Sequence, residues 1–302
     1  MVQACGKEDS MIKKNWKDKL FDICNTMFMV LLMIVMVYPL WHALMASLSD
    51  SNILLAHEGL LLWPQKFTVA AYKMVAKNPN IITGYANTIF VVVIGTILST
   101  FVTALGAYCM SRKPFPHKRL IMFMMVFTMY FSGGMIPRYL LINNTLDLGN
   151  TIWVLILPNL VTTYNLVVMR TGFEAIPDSL EESAQIDGAS HFRILFRIII
   201  PVALPSMAVV ILFYAVSYWN AWFDACIFIN EREKFPLQVI LREILLQNST
   251  ESMSGGESGD KAAIAESIRY ATIMAATVPV LVIYPFVQKY FVKGAMVGAV
   301  KG

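Results

Sequence analysis

Six stretches of the chain stay apolar without alternating, near 24–48, 83–110, 119–142, 151–170, 198–222 and 270–290. A helix rises about 1.5 Å per residue, so about 20 residues cross a ~30 Å hydrocarbon core. Continuous apolar runs point to helices rather than to the period-two strands of a barrel. The expected fold is all-α and integral to a membrane, with six transmembrane helices. One polar insert, EESAQIDGASHFRILFRIIIPVALP from Glu181 to Pro205, lies between the fourth and fifth runs. Asp178 follows Pro177 and precedes Glu181 by three residues, the spacing of a capping box, which predicts a short helix from Ser179 to Asp187. Gly188 would end it, and Ser190 would cap a second helix with Phe192, Leu195, Phe196 and Ile199 on one face.

Composition agrees with this pattern: 57% of the 302 residues are hydrophobic and 15% charged, against about 25% charged in soluble domains. The net charge of +4 matters through its placement. With a cytoplasmic amino terminus, the inward segments carry Lys7, Lys13, Lys14, Lys17, Lys19, Arg112, Lys113, Lys118, Arg119, Arg170, Arg193, Arg197, Lys289, Lys293 and Lys301, fifteen of the twenty-four basic residues. Both termini are therefore expected in the cytoplasm. The resulting division is a cytoplasmic segment 1–23, a transmembrane domain 24–294 and a cytoplasmic tail 295–302. Within the domain, 173–197 is an inner loop and 223–269 an extracellular loop. No small-residue cleavage site follows the charged amino-terminal stretch, so no removable signal is expected. Cys5, Cys24, Cys109 and Cys226 are scattered without metal-binding spacing.

Several function classes lose ground at once. The nearest imitation of a phosphate-binding loop, GGESGDKAA, has Asp260 where lysine is needed, so ATP hydrolysis would have to belong to partners. An ion-coupled secondary transporter of a small polar solute is the alternative. Such proteins keep ionisable residues at mid-membrane, whereas His42, Arg138 and Asp224 all fall near span ends. An enzyme would need a base at depth, yet His42, His57, His117 and His191 sit in loops or at span ends. A neutral sugar path needs uncharged hydrogen-bonding groups and aromatic faces. Asn159, Thr162 and Thr163 at one-face spacing, with Tyr164 and Asn165, supply the first. Tyr214, Tyr218, Trp219 and Trp222 supply the second, with Asn220 among them as a further hydrogen-bonding group. Interfacial aromatic belts and helix-to-helix hydrogen bonds explain the same residues equally well. The run NSTESMSGGESGD has the Gly/Ser composition of a mobile linker.

Glu182, Ser183 and Ala184, then Gly188, Ile198, Ile200 and Pro201, resemble the EAA loop of ABC importer permeases, departing from its pattern at Ser183 and Ile200. The segments SGGMIPRYLL, TYNLVVMRTGFEAIPDSLEESAQIDGA, LFYAVSYWNAWFDA, FPLQVILREIL and YFVKGAMVGAVKG are similar to the carbohydrate-importer branch, in particular its maltose-transporter G-type and oligosaccharide or polysaccharide-fragment permeases. The resemblance implies a type I importer fold in the bacterial cytoplasmic membrane, carrying a carbohydrate, with an oligosaccharide as the expected size. It implies four further proteins: a second, related permease, two ATP-binding subunits and an extracellular or periplasmic sugar-binding protein. ATP and magnesium would bind in the partners, with no cofactor, metal or nucleic acid on this chain. Glu181, Glu182, Ser183, Ala184, Asp187, Gly188, Phe192, Ile198 and Pro201 would form the coupling surface for the ATPase. Asn159, Thr162, Thr163, Tyr164, Asn165, Tyr218, Trp219, Asn220 and Trp222 would line the substrate path. Ser252, Gly255, Gly256 and Glu257 would reach the binding protein.

Overall fold

A computed structural model describes residues 16–57, 59–112, 116–253 and 259–299. Lys7, Lys13, Lys14, Lys113, Gly255, Gly256, Glu257 and Lys301 lie outside these described residues. Within them the chain is helical and forms no strand. The first span is α1 (Trp16–Ser47), which begins ahead of the expected 24. The polar residues Lys17, Asp18, Lys19 and Asp22 are good enough helix formers to extend it, and a hydropathy window cannot see that. Two short helices, α2 (Ser51–Ala56) and α3 (Ala70–Lys77), lead to the second span, α4 (Pro79–Ser111). Asn78 caps α4 by accepting from the Asn80 amide at 3.0 Å, and Pro79 takes the first-turn position where no N–H is needed.

The third run is not one helix. It divides into α5 (Lys118–Tyr130) and α6 (Met135–Leu140), the latter continuing as a π-turn over Leu141–Thr145, and the two parts are bent by 109°. Gly134 sits at φ +87° and Pro137 lies just inside the second part. A positive φ and a missing N–H end one helix and restart another. The fourth run opens with tight turns over Ile152–Leu155 and Leu157–Asn159. It then bends by 49° into α7 (Thr163–Glu174).

After α7 come α8 (Asp178–Ile186), α9 (His191–Ile194), a π-turn (Leu195–Ile199) and α10 (Ile200–Val202). The fifth span is α11 (Leu204–Trp219), shorter than the expected 198–222. Residues His191–Val202 turn away from it by 89°, because Pro201 and Pro205 remove two backbone donors around Ala203. Three helices are long and apolar enough to cross a membrane, and counting each of three bent pairs as one span brings the number to six.

The largest departure concerns 223–269, expected as a polar extracellular loop. It forms α12 (Phe223–Phe228), a tight turn at Arg232–Lys234 and α13 (Leu237–Met253) before α14 (Gly259–Ala299), whose apolar Ile264–Pro285 is the last span. Ala225, Phe228, Ile229, Leu237, Val239 and Ile240 are buried, so the first half of this segment is core. Leu237 N–H donates to Thr88 Oγ1 at 2.8 Å, and Asn87 Nδ2 donates to the Glu233 and Phe235 carbonyls at 2.7 and 3.1 Å. Gly84 lies against Leu237 and Ile240, where even a Cβ would press on the Leu237 backbone and displace the Ile240 side chain.

At the centre stands α4, packed on α7 and α11. A stripe of small polar residues makes this approach possible. Ser99 shares a 2.7 Å hydrogen bond with the Tyr218 hydroxyl, Thr103 shares one of 2.7 Å with Tyr214, and Gly95 lies under the Tyr218 ring. Such interhelical bonds contribute roughly 0.6–1.7 kcal/mol each in membranes. By contrast α1 leaves its central apolar residues exposed and buries only Ala43 and Met45–Ser47.

Candidate functional site

The polar insert folds into a jointed pair of helices. Pro177 precedes α8, so Asp178 is its first residue and not its cap, and the Asp178 carboxylate turns toward Arg112 at 3.4 Å. The capping-box position is therefore off by one residue. At the far end Gly188 adopts φ +76°, its N–H donating to the Gln185 carbonyl at 3.0 Å, while Ala189 N–H donates to the Ala184 carbonyl at 2.9 Å. Those two bonds form a Schellman motif, which needs a left-handed residue at Gly188. Ser190 Oγ then accepts from the Arg193 amide at 3.4 Å, as a cap should.

Phe192, Leu195, Phe196 and Ile199 do not share one face. Leu195 and Ile199 are buried with Ile194, whereas Phe192 and Phe196 are exposed, Phe196 stacking on Phe101. The wider π-turn over Leu195–Ile199 shifts the phase on which a 3.6-residue stripe depends. What the joint presents outward is Glu182, Ser183, Ile186, Asp187, Gly188 and Phe192, all exposed, with Ile186 at 87%. Ala184 is buried, Ile198 half-buried and Pro201 exposed.

Glu181 faces the other way. It is 8% exposed and accepts a 2.7 Å hydrogen bond from the Tyr108 hydroxyl and one of 3.2 Å from Gln185 Nε2. Arg112, 7% exposed, brings its Nε to 3.0 Å from Glu181 Oε2, an ion pair whose N–H points off that line. Its Nη2 donates to the Phe173 carbonyl at 3.2 Å. Arg112 therefore ties the end of α4 to both α7 and α8. Around this node Lys118 and Arg170 converge on Glu174 at 3.3 and 2.7 Å. A cavity of about 370 Å³ lies beside it, lined by Leu105, Tyr108, Arg112, Glu181, His191 and Leu195 among others. In the sequence Arg112 reads only as one of the inward basic residues, and Tyr108 carries no signal. The available signal was the spacing of Asp178, Glu181 and Ala184 on one helical face.

At the opposite ends of the spans a second polar region gathers. Arg138 Nη2 donates to Asp224 Oδ2 at 2.8 Å, and Asn159 Nδ2 reaches the same oxygen at 3.0 Å. A cavity of about 200 Å³ brings together Asn159, Tyr218, Asn220, Trp222 and Asp224. A larger one of about 470 Å³, between α11, α13 and α14, shares Asn220 and Trp222 and adds Trp219, Gln238, Arg242 and Thr277. The structure thus gathers five of the proposed path residues, Asn159, Tyr218, Trp219, Asn220 and Trp222, around two adjoining cavities. Tyr218 is 3% exposed and spends its hydroxyl on Ser99, so its first task is helix packing.

The other four stand apart. Thr162 N–H donates to the Tyr214 hydroxyl, Thr163 Oγ1 donates to the Met125 carbonyl, Tyr164 leans exposed against Phe213, and Asn165 is buried. Asn159, Thr162 and Thr163 cannot share one helical face, because the helix is interrupted between Asn159 and Thr163. Ser252 lies near the end of α13. Among the described residues no group of His, Cys, Asp and Glu could hold a metal ion.

Residues 115–297 match the family described as binding-protein-dependent transport system inner membrane component. The chain is 39% identical over 287 residues to the polygalacturonan/rhamnogalacturonan transport system permease protein YtcP of Bacillus subtilis, covering 95% of this chain and all of that one. It is 36% identical to the protein LplC of the same organism, over 94% of this chain and 96% of that one. Among solved structures it matches a chain of a bacterial ABC transporter involved in the import of the acidic polysaccharide alginate. That match has a TM-score of 0.83 and 30% identity, and it covers 92% and 99% of the two chains. With a family match across more than half its length and relatives aligned end to end, the chain belongs to the inner-membrane permease components of binding-protein-dependent ABC transport systems.

Proposed function

We propose that this chain carries a carbohydrate of oligosaccharide size into the cell as one half of a permease heterodimer. A related but different permease forms the other half. Two ATP-binding subunits, which hold the ATP and magnesium, dock on α8 and α9, and a sugar-binding protein delivers cargo at the opposite end. The observation that carries this reading is the separation of two built regions. The Gly188 joint, with Glu182, Ile186 and Phe192 exposed, lies beyond the Arg112 end of α4. The polar and aromatic cavities, whose linings also include Arg242 and Asp224, lie at the far ends of the same bundle.

The cluster Arg112, Lys118 and Arg170 at the joint end favours a cytoplasmic placement of that end, and with it both termini inside. In this arrangement ATPase closure pushes on α8 and α9. The push reaches α4 through Arg112 and α11 through the turn at Ala203. The ion-coupled alternative gains nothing from the structure, since Arg138 and Asp224 already neutralise each other near a span end.

The test is reconstitution of the complete complex in liposomes. Saccharide uptake should require ATP inside and the loaded binding protein outside, and the chain alone under a proton gradient should move none. Uptake by the lone chain on a proton gradient would establish the ion-coupled reading instead. Reporter fusions after Lys19 and at the carboxyl terminus should both report cytoplasm, and one on each side would overturn the topology. Deleting residues 252–259 should spare assembly and reduce stimulation by loaded binding protein.

A further inference from the structure

Arg242 carries a charge that the fold does not neutralise. It is exposed on α13, with its guanidinium carbon 3.9 Å from the centre of the Trp222 ring. Among the described residues no carboxylate comes within ion-pair reach of it. Two acids close in the chain, one next to Arg242 and one two residues from Trp222, are already taken. Glu243 pairs with Arg232 at 2.8 Å, and Asp224 pairs with Arg138 at 2.8 Å. Stacking on an indole occupies one face of a guanidinium and leaves its in-plane N–H groups free. Those groups form the fork that matches a carboxylate in two parallel hydrogen bonds.

The charge also faces a cavity of ligand size. About 470 Å³ lies between α11, α13 and α14, within the roughly 300–1,000 Å³ of small-molecule pockets. Its other polar groups are set to meet hydroxyls. Asn220 Nδ2 donates to the Val216 carbonyl at 2.9 Å, leaving Oδ1 to accept. Thr277 gives its proton to the Ile273 carbonyl at 2.8 Å, leaving an oxygen to accept. Gln238 lines the same wall, and Trp219 offers a ring to a pyranose face. A cation on a fixed platform, ringed by neutral hydrogen-bonding groups, matches a sugar that bears both hydroxyls and a carboxylate.

We infer that Arg242, held flat on Trp222, is a carboxylate-reading subsite at the mouth of the transport path, and that the carbohydrate carried is acidic, built from uronate units. This rests on the reading of the chain as a carbohydrate permease. The platform orients the fork, so Trp222 is a positioning residue for Arg242, while Arg242 sets specificity.

The experiment uses the complete complex with its binding protein in liposomes and compares uptake of trigalacturonate with that of its methyl ester. Each variant rate is divided by the wild-type rate on the same probe, which cancels any preference of the binding protein. R242Q should lower trigalacturonate uptake by about tenfold or more, the size expected for losing a charge-assisted pair, and leave the ester nearly unchanged. R242K should fall between, because an ammonium keeps the charge but not the fork. A second reading needs no ester: raising ionic strength should slow trigalacturonate uptake by wild type and lose much of that effect in R242Q. Equal loss on both probes, whether from misassembly or a lost lipid contact, overturns the inference, as does no loss on either. A wild-type complex that carries the ester as well as the acid overturns it while sparing the carbohydrate reading. One that carries neither overturns both.

Discussion

The two ends of the bundle handle charge in opposite ways. At the joint end Arg112 and Glu181 are sealed between α4, α7 and α8, where Tyr108 and Gln185 donate to Glu181 and the Phe173 carbonyl accepts from Arg112, although the buried Arg112 Nε–H points at no acceptor. At the other end the Arg232–Glu243 and Lys234–Glu231 pairs lie largely in the open, and Arg242 has no acid within ion-pair reach among the described residues. A buried pair holds because removing one partner strands the other in a low dielectric, whereas an exposed pair contributes about 0–1 kcal/mol. The joint end is therefore built to move as a rigid piece, and the open end to rearrange around what it meets. If the joint end docks the ATPase, as proposed above, a machine driven from one side and loaded from the other needs that asymmetry.

The sharpest way to break the comparison is to empty the sealed node. Arg112→Met removes the charge and leaves Glu181 buried, which should cost about 3–5 kcal/mol and lower the melting temperature of the purified complex. The double variant Arg112→Met with Glu181→Leu should recover much of the loss, since neither charge is then stranded. The matching change at the open end, Arg232→Met, should be nearly silent. If Arg112→Met and Arg232→Met shift the melting temperature alike, the contrast between the ends is wrong.

A smaller effect is expected at the joint itself. Nothing lies within 4 Å of a Cβ built on Gly188, so a side chain there meets open space and the whole cost is backbone strain at φ +76°. Gly188→Val should cost on the order of 1 kcal/mol or more and tilt α9 against α8. ATPase co-purification should fall, while Gly188→Asn, which tolerates the left-handed region, should retain more. Equal binding by the Val and Asn variants would remove strain as the cause. Glu182→Lys leaves the joint intact and reverses an exposed charge, so the ATPase should bind more weakly with a changed salt dependence. Wild-type binding at every salt concentration would place Glu182 outside the contact.

The sequence made some of this legible and left the rest hidden, for physical reasons. Six apolar runs stand out because lipid and protein interiors both demand apolar surface, and the Gly188 joint stands out because few residues other than glycine accept its φ. The breaks were harder, since a hydropathy average runs straight across Gly133, Gly134 and Pro158. That averaging also placed Asn159 with Thr162 and Thr163 on a helical face that does not exist. Adjacent Glu181 and Glu182 look equivalent as letters. Only the phase of α8 against α4 sends one inward to Arg112 and the other outward. The stretch after span five reads as a loop because its polar tail outweighs FDACIF and FPLQVIL, which supply the buried Ala225, Phe228, Leu237, Val239 and Ile240. Ser99 and Thr103, which hold Tyr218 and Tyr214, carried no visible signal, because a hydroxyl in a span shows its purpose only when its partner helix is known.

The smallest expected effect belongs to the open end, at a knot around Asn150. Asn150 sits at φ +56°, and its Oδ1 accepts from the Asn230 and Glu231 amides, both at 3.1 Å. Its Nδ2 donates to Glu231 Oε1 at 2.7 Å, and Lys234 Nζ lies 2.7 Å from Glu231 Oε2. Lys234 and then Asn150 hold the Glu231 carboxyl below the usual glutamate value, which is about 4.3. A depressed folded pKa contributes stability that is fully present above the unfolded value and lost as pH falls through the folded one. The knot should thus be at full strength at neutral pH and loosen only below the ordinary glutamate range. Glu231→Gln should reproduce that loosening at pH 7, because an amide keeps the bond from Asn150 and loses the pairing with Lys234. Glu231 is exposed, so the global melting temperature should barely move. Faster hydrogen exchange at the Asn230 and Glu231 amides is the expected readout. Exchange there that is as slow in the variant as in the wild type would mean that Asn150 alone holds the knot, and that charge does less at this end than even the exposed pair suggests.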